Sequence, residues 1–370
     1  MKSWDAIVVG AGIIGLSLAT ELNKQGLRVL VVEKGEPGRE ASWAAGGMLA
    51  DFPAETPPGL RKLAAASALM YPEFVHELED ESGLKIDLRS VGTIVLTRGE
   101  TGLRPVLAGQ SLATTQAYAL PRPLAEMELG LRIHGSTALH VKERCVDPRH
   151  LTAAAIAAAR HRGVDFSSGD HVLAVEVANG KACGVRTNKT QFAAAMVVNC
   201  AGAWAGQIGP HRFPTRPVKG QMLCVAMPQK ELVRHVIRTV GWTPDVYLIP
   251  RSDGRMLIGA TAEEAGFDKQ TVQETIQKLR QAALDLVPKL ADARILEAWA
   301  GLRPGTPDGL PILGATPTPG YFVATGHFRD GILLAPVTAK LMGQIVTGRM
   351  TTGQSPQIDL SRFSASRFVN

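Results

Sequence analysis

The alternation of hydrophobic and polar positions predicts a strand, a helix and a second strand at the start of the chain. Residues 5–10, DAIVVG, form a short apolar, β-branched run that is typical of a buried parallel strand. Residues 13–26, IIGLSLATELNKQG, repeat their apolar positions with a helical period and end at a glycine. Residues 28–33, RVLVVE, read as another buried strand. This order predicts a β-α-β unit.

Later segments return to the same kind of fold. Residues 151–163, LTAAAIAAARHRG, predict an alanine-rich helix, and residues 331–348, GILLAPVTAKLMGQIVTG, predict another. Between them, HVLAVEV at 171–177 and AMVVNCAG at 195–202 are strand candidates. These segments extend the first unit into a Rossmann-like nucleotide-binding domain of class α/β (α+β).

Two intervening stretches are rich in alternating strands and predict a second domain. We expect residues 1–84, 146–215 and 299–370 to form the nucleotide-binding domain. We expect residues 85–145 and 216–298 to form a discontinuous second domain on a mostly antiparallel sheet. This sheet would cover the nucleotide site, and the space between them would be a natural ligand pocket, so we expect the second domain to bind the substrate.

The composition is that of a globular chain. With 370 residues, 45% of them hydrophobic and 20% charged, the chain is long enough for two domains. The longest apolar run without a charge, residues 6–20, contains three glycines and is too short to span a bilayer. A strand-like segment begins directly after Asp5, where a secretory signal would need a longer apolar stretch. We therefore expect a cytoplasmic protein without a membrane segment.

Charge and cysteine content change this picture little. The formal net charge is +6, but Lys and Arg are scattered along the chain, so we expect no nucleic-acid partner. The four cysteines, Cys145, Cys183, Cys200 and Cys224, show no paired spacing, which favours buried reduced thiols over a metal site or disulfides.

The turn after the first strand carries candidate chemistry. Gly10, Gly12 and Gly15 match GxGxxG: the first permits a tight turn, the second leaves room for a pyrophosphate, and the third allows helix and strand to pack closely. The helix N-terminus then faces the phosphates. Glu33, at the end of the second strand, can accept hydrogen bonds from a ribose and disfavours a 2′-phosphate. The alternative is that the glycines only make a compact turn.

The fingerprint alone does not separate NAD from FAD. Residues 39–49, REASWAAGGML, are mostly small, which lets backbone lie close to a ligand; the alternative is a flexible loop.

With these features together, the chain resembles the D-amino-acid oxidase superfamily, and within it the bacterial glycine oxidases of thiamine biosynthesis. Further blocks resemble that family in the same order: PVKGQML at 217–223, YLIPR at 247–251, GLRPGTPDGLPILG at 301–314 and GHFRDGILLAP at 326–336.

The resemblance implies FAD as the cofactor. Val172 would meet the adenine through its backbone, the loop 327–333 would wrap the flavin ring, and the helix from Gly331 would direct its N-terminus at the flavin N1 and O2 region. Related sarcosine oxidases tether flavin to a cysteine, and residues 300–308, AGLRPGTPD, have none, so we expect noncovalent FAD. The expected FAD-binding residues are Gly10, Gly12, Ile13, Ile14, Gly15, Glu33, Lys34, Ala41, Ser42, Gly46, Gly47, Met48, Val172, Ala201, Gly202, His327, Phe328, Arg329, Asp330, Gly331, Ile332 and Leu333.

The same resemblance implies how a substrate is held. Arg303 stands where the family carries its carboxylate-binding arginine, and a guanidinium suits that bidentate grip; the alternative is a surface arginine paired with Asp308 or another acid. Tyr247 would donate to the same carboxylate; the alternative is a half-buried strand tyrosine. Arg329 would receive the substrate amine at its backbone carbonyl. We expect His327 to contact flavin rather than act as a base.

The resemblance implies an FAD-dependent amino-acid oxidase that passes hydride from the substrate Cα to flavin N5, with no obligatory base if the substrate amine binds neutral. The product would be an imine that water hydrolyses, and molecular oxygen would be the acceptor, giving hydrogen peroxide. Asp245 and Ala262 depart from the Bacillus-type pocket, where histidine and methionine are expected, so a longer or more cationic amine could fit. A quinone-linked D-amino-acid dehydrogenase and a tRNA-modification flavin module stay open as alternatives. A homo-oligomer is expected.

Overall fold

The computed structural model describes residues 3–51, 56–98, 117–132, 135–350 and 358–368. The α-helices are α1 (Ile13–Lys24), α2 (Ala41–Ala44), α3 (Arg61–Ser82), α4 (Leu124–Met127), α5 (Pro148–His161), α6 (Gln273–Leu286) and α7 (Gly331–Val346). The strands are β1 (Trp4–Val9), β2 (Val29–Glu33), β3 (Met48–Leu49), β4 (Leu88–Arg89), β5 (Thr93–Thr97), β6 (Ala117–Ala119), β7 (Thr137–Val141), β8 (Arg144–Val146), β9 (Asp165–Ser168), β10 (Val172–Ala178), β11 (Lys181–Thr187), β12 (Gln191–Asn199), β13 (Arg216–Ala226), β14 (Val236–Val240), β15 (Tyr247–Pro250), β16 (Arg255–Gly259), β17 (Arg294–Gly305), β18 (Ile312–Ala315) and β19 (Tyr321–Thr325).

The first sheet is the predicted nucleotide-binding sheet. Strands β9, β2, β1, β12 and β19 run parallel, and β18 adds an antiparallel edge. Strands β10 and β11 fold back as antiparallel partners on the first half of β12.

Both faces of this sheet are covered, as its continuous apolar strands require. Along β1, Ala6 and Val8 pack with helices α1, α3, α5 and α7, while Ile7 and Val9 belong to a separate cluster on the opposite face. The two-residue period of a strand explains this division.

The second sheet has the order β17-β13-β16-β15-β14-β5-β7-β6. Its neighbouring strands are antiparallel except for β14 and β5, which run parallel, so the sheet is mixed rather than purely antiparallel. Helix α6 packs on one face through Leu279, Ala283 and Leu286. The fold class follows the sequence prediction.

A small sheet of β3, β8 and β4 joins the two larger ones. The expected boundaries after residues 145 and 298 fall within β8 and β17, respectively, so each of these strands continues across the point at which the sequence suggested a change of domain.

The cysteines differ from expectation at one position. Cys145, Cys200 and Cys224 are buried and none of the four forms a disulfide, but Cys183 is exposed on the antiparallel branch. Its side chain lies on the solvent side of β11, between buried neighbours, so the expectation of burial was wrong there. No helix among the described residues combines the length and apolar character needed to cross a membrane. The described residues also contain no cluster of three or more His, Cys, Asp or Glu side chains suited to a metal.

Candidate functional site

A cavity of about 340 Å³ lies between the two large sheets. The ends of β1, β12 and β19, the segment around α2 and the start of α7 form one wall, and β13, β15 and β17 form the other. Of the expected FAD and substrate residues, all line this cavity except Gly15 and Leu333, which are buried behind it.

The three fingerprint glycines have different surroundings. Gly10 has φ +101°, and a Cβ there would lie 2.6 Å from the Cys200 carbonyl oxygen. A Cβ on Gly15 would lie 2.0 Å from the Gly10 carbonyl oxygen, so this glycine allows helix and turn to touch. Gly12 has φ −74°, and among the described residues other than its chain neighbours only Ser42 Oγ, at 3.3 Å, comes within 4 Å of its Cβ position. The open space beside the Gly12 Cα is therefore part of the cavity.

The N-terminus of α1 opens into this space. Ser42 Oγ accepts a hydrogen bond of 2.9 Å from the Ile13 backbone N–H, which fixes the α2 segment beside the helix end. A cleared position at Gly12, at the N-terminal end of a helix, suits a pyrophosphate. The residues present thus fit a dinucleotide such as FAD.

Glu33 supports the turn as well as facing the cavity. Its Oε2 accepts from the Ala11 N–H at 2.8 Å and its Oε1 accepts from the Gly35 N–H at 3.0 Å, and the side chain is buried. Each carboxylate oxygen has a second lone pair, so acceptance from a ribose hydroxyl is compatible with both backbone bonds.

Lys34 lies against an aromatic ring that the sequence did not single out. Its Nζ is 3.0 Å from the centre of the Trp204 ring and 3.6 Å from Glu40 Oε1. Burial lowers the pKa of Lys34, although the neighbouring carboxylates of Glu40 and Glu33 oppose that effect. Trp204 lines the cavity two residues after Gly202, in the short 3₁₀-helix Gly202–Gln207.

Arg303 reaches the cavity from the opposite wall. Its Nη1 donates a hydrogen bond of 3.0 Å to the Thr261 carbonyl oxygen. Asp308, the alternative partner, is instead bound by Arg367 at 2.8 Å. No ion pair within the described residues neutralises Arg303, so its charge is available to a bound carboxylate.

Tyr247 lines the same cavity as Arg303 and begins β15, which is separated from β17 by β13 and β16 in the sheet. Its hydroxyl is 3.6 Å from the Met222 sulfur, and a Cβ on Gly259 or on Gly46 would lie 2.9 Å or 3.4 Å, respectively, from its ring. A thioether is a weak acceptor, so the phenol can turn its hydrogen towards a stronger acceptor in the cavity.

The segment 327–331 closes the cavity at the start of α7. His327 is buried, with Nε2 3.1 Å from Thr338 Oγ1, and burial lowers the pKa of His327 to about 3. The imidazole is neutral near pH 7, which fits contact with a cofactor. Phe328 adopts φ +47° and donates its N–H to the Pro304 carbonyl at 3.0 Å, while the Arg329 side chain is exposed at the rim.

The two departures from the family pattern have different outcomes. Asp245 lines the cavity, but its Oδ1 accepts from the Trp242 N–H at 2.8 Å and from Thr239 Oγ1 at 3.3 Å, which closes the turn before β15. Ala262 is exposed and lies outside the cavity wall, which Ala260 and Thr261 form instead. The expectation that Ala262 forms part of the pocket wall was therefore wrong, whereas the admission of a longer or more cationic amine stays a prediction.

Several wall residues were missed by sequence reasoning. Gly220 and Met222 face the cavity at alternate positions of β13, and Arg238 and Thr239 reach it from β14. The two-residue period within PVKGQML was a usable signal for the first pair. Arg238 and Thr239 reach the cavity because β14 pairs with β15, and no local sequence pattern predicts that pairing.

Comparison with known proteins agrees with this geometry. A family model described as FAD dependent oxidoreductase matches residues 5–345. The glycine oxidase of Pseudomonas aeruginosa is 35% identical over 93% of this chain and 94% of its own length. A bifunctional protein ThiO/ThiG of Trichormus variabilis is 34% identical over 98% of this chain, which corresponds to 55% of that protein. The crystal structure of glycine oxidase from Geobacillus kaustophilus superposes with a TM-score of 0.91 at 31% identity and covers 100% of both chains. The chain therefore belongs to the FAD dependent oxidoreductase family.

Proposed function

We propose that this FAD-dependent oxidoreductase catalyses the oxidative deamination of glycine or of other small amino acids and amines, such as sarcosine and small D-amino acids. The observation that carries the proposal is the position of Arg303 and Tyr247 in the wall of the cavity that also contains the glycine turn. The similarity to glycine oxidases supports the same substrate class.

The substrate carboxylate would bind between Arg303 and Tyr247. The planar guanidinium of Arg303 can offer two parallel N–H donors, and the Tyr247 hydroxyl can offer a third. The backbone carbonyl of Arg329 would accept from the substrate amine. Four hydrogen bonds from three residues, at the two ends of so small a molecule, would hold its Cα in one orientation.

The remaining residues would hold the cofactor. Gly12 and the N-terminus of α1 would accept the pyrophosphate, Glu33 the ribose, and the Gly46–Met48 and 327–333 segments the flavin. When bound, FAD accepts the α-hydrogen of the substrate as hydride, and molecular oxygen takes up the electrons to form hydrogen peroxide.

The chain supplies little acid or base chemistry in this scheme. His327 is neutral and hydrogen-bonded to Thr338, so it orients rather than removes a proton. If the substrate amine binds neutral, loss of hydride leaves a protonated imine, and water converts that imine into the 2-oxo acid and ammonia. No step then requires a protein base.

The cellular setting is also a proposal. The similarity to a ThiO/ThiG protein supports a role in supplying glycine imine to thiamine thiazole synthesis. We further propose a cytoplasmic homo-oligomer that holds FAD without a covalent bond. Light scattering on the purified protein would measure the oligomeric state.

Anaerobic mixing of the purified protein with glycine, sarcosine and D-alanine, followed by flavin absorbance, tests the proposed reaction. Bleaching with glycine at a saturable rate supports it, and the order of the three rates identifies the preferred substrate. Failure of all three compounds to bleach the flavin contradicts it.

Oxygen uptake without an added acceptor then tests the electron acceptor. Rapid bleaching combined with negligible oxygen uptake would favour the quinone-linked dehydrogenase. A salt-sensitive gel shift with tRNA would favour the RNA-modification alternative.

A further inference from the structure

The strand that carries Tyr247 is joined to the cavity segment 45–49 by three side chains on one face. Tyr247 and Ile249 of β15 and the next residue on that face, Arg251, are two positions apart, so they project in the same direction. A Cβ on Gly46 would lie 3.4 Å from the Tyr247 ring and 2.7 Å from Ile249 Cδ1. Gly46 therefore lies directly beneath the first two of these side chains.

Arg251 adds hydrogen bonds to this contact. Its Nη2 donates to the Gly46 carbonyl oxygen at 2.7 Å, and its Nη1 donates to the Val146 carbonyl oxygen at 3.0 Å. The side chain is 1% exposed. A rigid guanidinium with donors on two nitrogens can fix two carbonyls at once, which a single ammonium does less well.

The Gly46 carbonyl lies in the cavity segment 45–49, and the Val146 carbonyl lies in the strand that supports this segment. Val146 ends β8, the partner strand of β3, and its N–H donates to the Gly47 carbonyl at 2.9 Å. Gly47 has φ +78°, and a Cβ there would lie 2.0 Å from the Val146 carbonyl oxygen. The segment therefore has a conformation that glycine permits and that Arg251 and Val146 hold in place.

The nearest acid does not by itself explain a buried guanidinium at this position. Asp147 Oδ2 is 3.8 Å from Arg251 Nε but 2.9 Å from Arg255 Nη2, and Asp147 Oδ1 accepts from the Arg149 N–H at 2.9 Å. Asp147 thus has a closer charged partner and a helix-capping bond without Arg251. Burying a charge is costly, and here the hydrogen bonds that offset the cost are those to Gly46 and Val146.

We propose that Arg251 is a positioning residue that fixes the distance between the flavin-binding segment 45–49 and the Tyr247 side of the substrate pocket. It acts through the Gly46 carbonyl and touches neither substrate nor the reacting atoms. The part of this inference that concerns the substrate pocket rests on the proposed role of Tyr247. The part that concerns the flavin-binding segment rests only on the FAD site.

The test compares Arg251→Met and Arg251→Lys with the matched control Arg255→Met. The control removes a guanidinium from the same carboxylate and leaves the Gly46 contact intact. For each protein, FAD is removed, the melting temperature of the apoprotein is measured, and FAD is titrated back with flavin fluorescence as the readout. The visible spectrum of the bound flavin is recorded, with and without acetate as a carboxylate probe.

Loss of charge-assisted bonds to two carbonyls should weaken FAD binding by about tenfold to a hundredfold in Arg251→Met, while Arg255→Met changes it by less than about threefold. The FAD affinity of Arg251→Lys should fall between those of Arg251→Met and the wild type, because lysine keeps the charge but lacks the planar pair of guanidinium donors. The bound-flavin spectrum and its response to acetate should change in both Arg251 variants and stay as in the wild type in Arg255→Met.

Wild-type FAD affinity and spectra in a folded Arg251→Met protein would overturn the proposal. If Arg251→Met does not fold, Arg251→Lys decides: FAD binding weaker than in Arg255→Met supports the role, and wild-type binding and spectra overturn it. These readouts require no turnover. A wild-type protein that oxidises no amino acid would therefore refute the proposed function and leave the flavin result intact.

Discussion

The guanidinium of Arg303 occupies the space in which a side chain on Gly220 would begin. A Cβ on Gly220 would lie 2.3 Å from Nη1, 2.4 Å from Nη2 and 2.5 Å from Cζ of Arg303. The two residues lie on the antiparallel strands β13 and β17, where Arg303 pairs with Val218. Because Gly220 has no side chain, Arg303 can cross β13 and reach the Thr261 carbonyl.

Replacing Gly220 with alanine should therefore impair substrate binding while the fold and FAD binding survive. The atoms that the new Cβ meets are the far end of a flexible side chain, which can move at little cost to stability. We expect KM for glycine to rise by about tenfold or more, in line with the loss of one charge-assisted contact. Steady-state kinetics and the FAD content of the purified variant measure both effects.

A double-mutant cycle separates this effect from a general disturbance. If Gly220→Ala acts through Arg303, adding it to Arg303→Leu should cost almost nothing further, because the shared interaction is already lost. Additive losses in kcat/KM would show that Gly220 acts through another residue.

Replacement of Arg303 by leucine should leave FAD bound but weaken amino-acid oxidation severely. A buried carboxylate that loses its charged partner forfeits roughly 2–5 kcal/mol. Arg303→Lys should recover only part of the activity, since it keeps the charge without the planar fork. Simple amines without a carboxylate should be affected much less. Equal slowing of amines and amino acids would mean that Arg303 supports the flavin or the fold instead.

The glycine turn allows a matched pair of substitutions. Gly12→Val fills cavity space and has no positive φ to strain, so it should abolish FAD binding while the apoprotein keeps a melting temperature near that of the wild type. Gly15→Ala places a Cβ 2.0 Å from the Gly10 carbonyl and should lower that melting temperature strongly. A Gly12→Val protein that purifies with full flavin would show that the glycine turn is not part of the FAD site.

The parts of the site that the sequence predicted are those built from consecutive residues. The strand, Gly10, Gly12 and the start of α1 are neighbours in the chain, so local pattern and position coincide. Glu33 follows because β2 pairs directly with β1 in the parallel order that a β-α-β unit imposes.

The parts that escaped prediction depend on contacts between distant segments. The closeness of Gly220 to Arg303 requires the β13 and β17 register. The contact of Trp204 with Lys34 joins the 3₁₀-helix after β12 to the residue after β2. Ala262 was misplaced because the chain leaves the cavity wall after Thr261, whose hydroxyl turns to Glu263. Asp245 closes a turn with its side chain, a frequent role for aspartate that competes with a role in binding.

The lack of a cysteine in residues 300–308, where related sarcosine oxidases tether their flavin, gives a further expectation. Cys200 is buried in the cavity wall beside Gly10, Cys145 is buried opposite Met48, and Cys224 is buried in β13. Burial raises the pKa of all three thiols, Cys183 faces solvent, and AGLRPGTPD contains no thiol. FAD should leave the chain completely on acid or heat denaturation. Absorbance of the supernatant and of the washed precipitate measures this, and yellow colour retained in the precipitate would contradict noncovalent binding.

The buried His327 should make stability depend on pH in a defined direction. Burial lowers the pKa of His327 to about 3, whereas an imidazole in the unfolded chain titrates near 6.5. Between these values the unfolded chain binds one more proton than the folded chain does, so stability is full above the unfolded pKa and falls as the pH drops. The loss from this group should reach about 2 kcal/mol between pH 8 and pH 5.

His327→Gln tests this expectation, because glutamine keeps a polar group near Thr338 Oγ1 but does not titrate. Urea unfolding of the two apoproteins at both pH values isolates the contribution of residue 327, since every other histidine is present in both. The variant should lose about 2 kcal/mol less than the wild type on acidification, whatever its stability at pH 8. Equal losses in the two proteins would mean that the folded protein takes up the His327 proton between pH 8 and pH 5 as the unfolded chain does, and the lowered pKa of the buried imidazole would then be wrong.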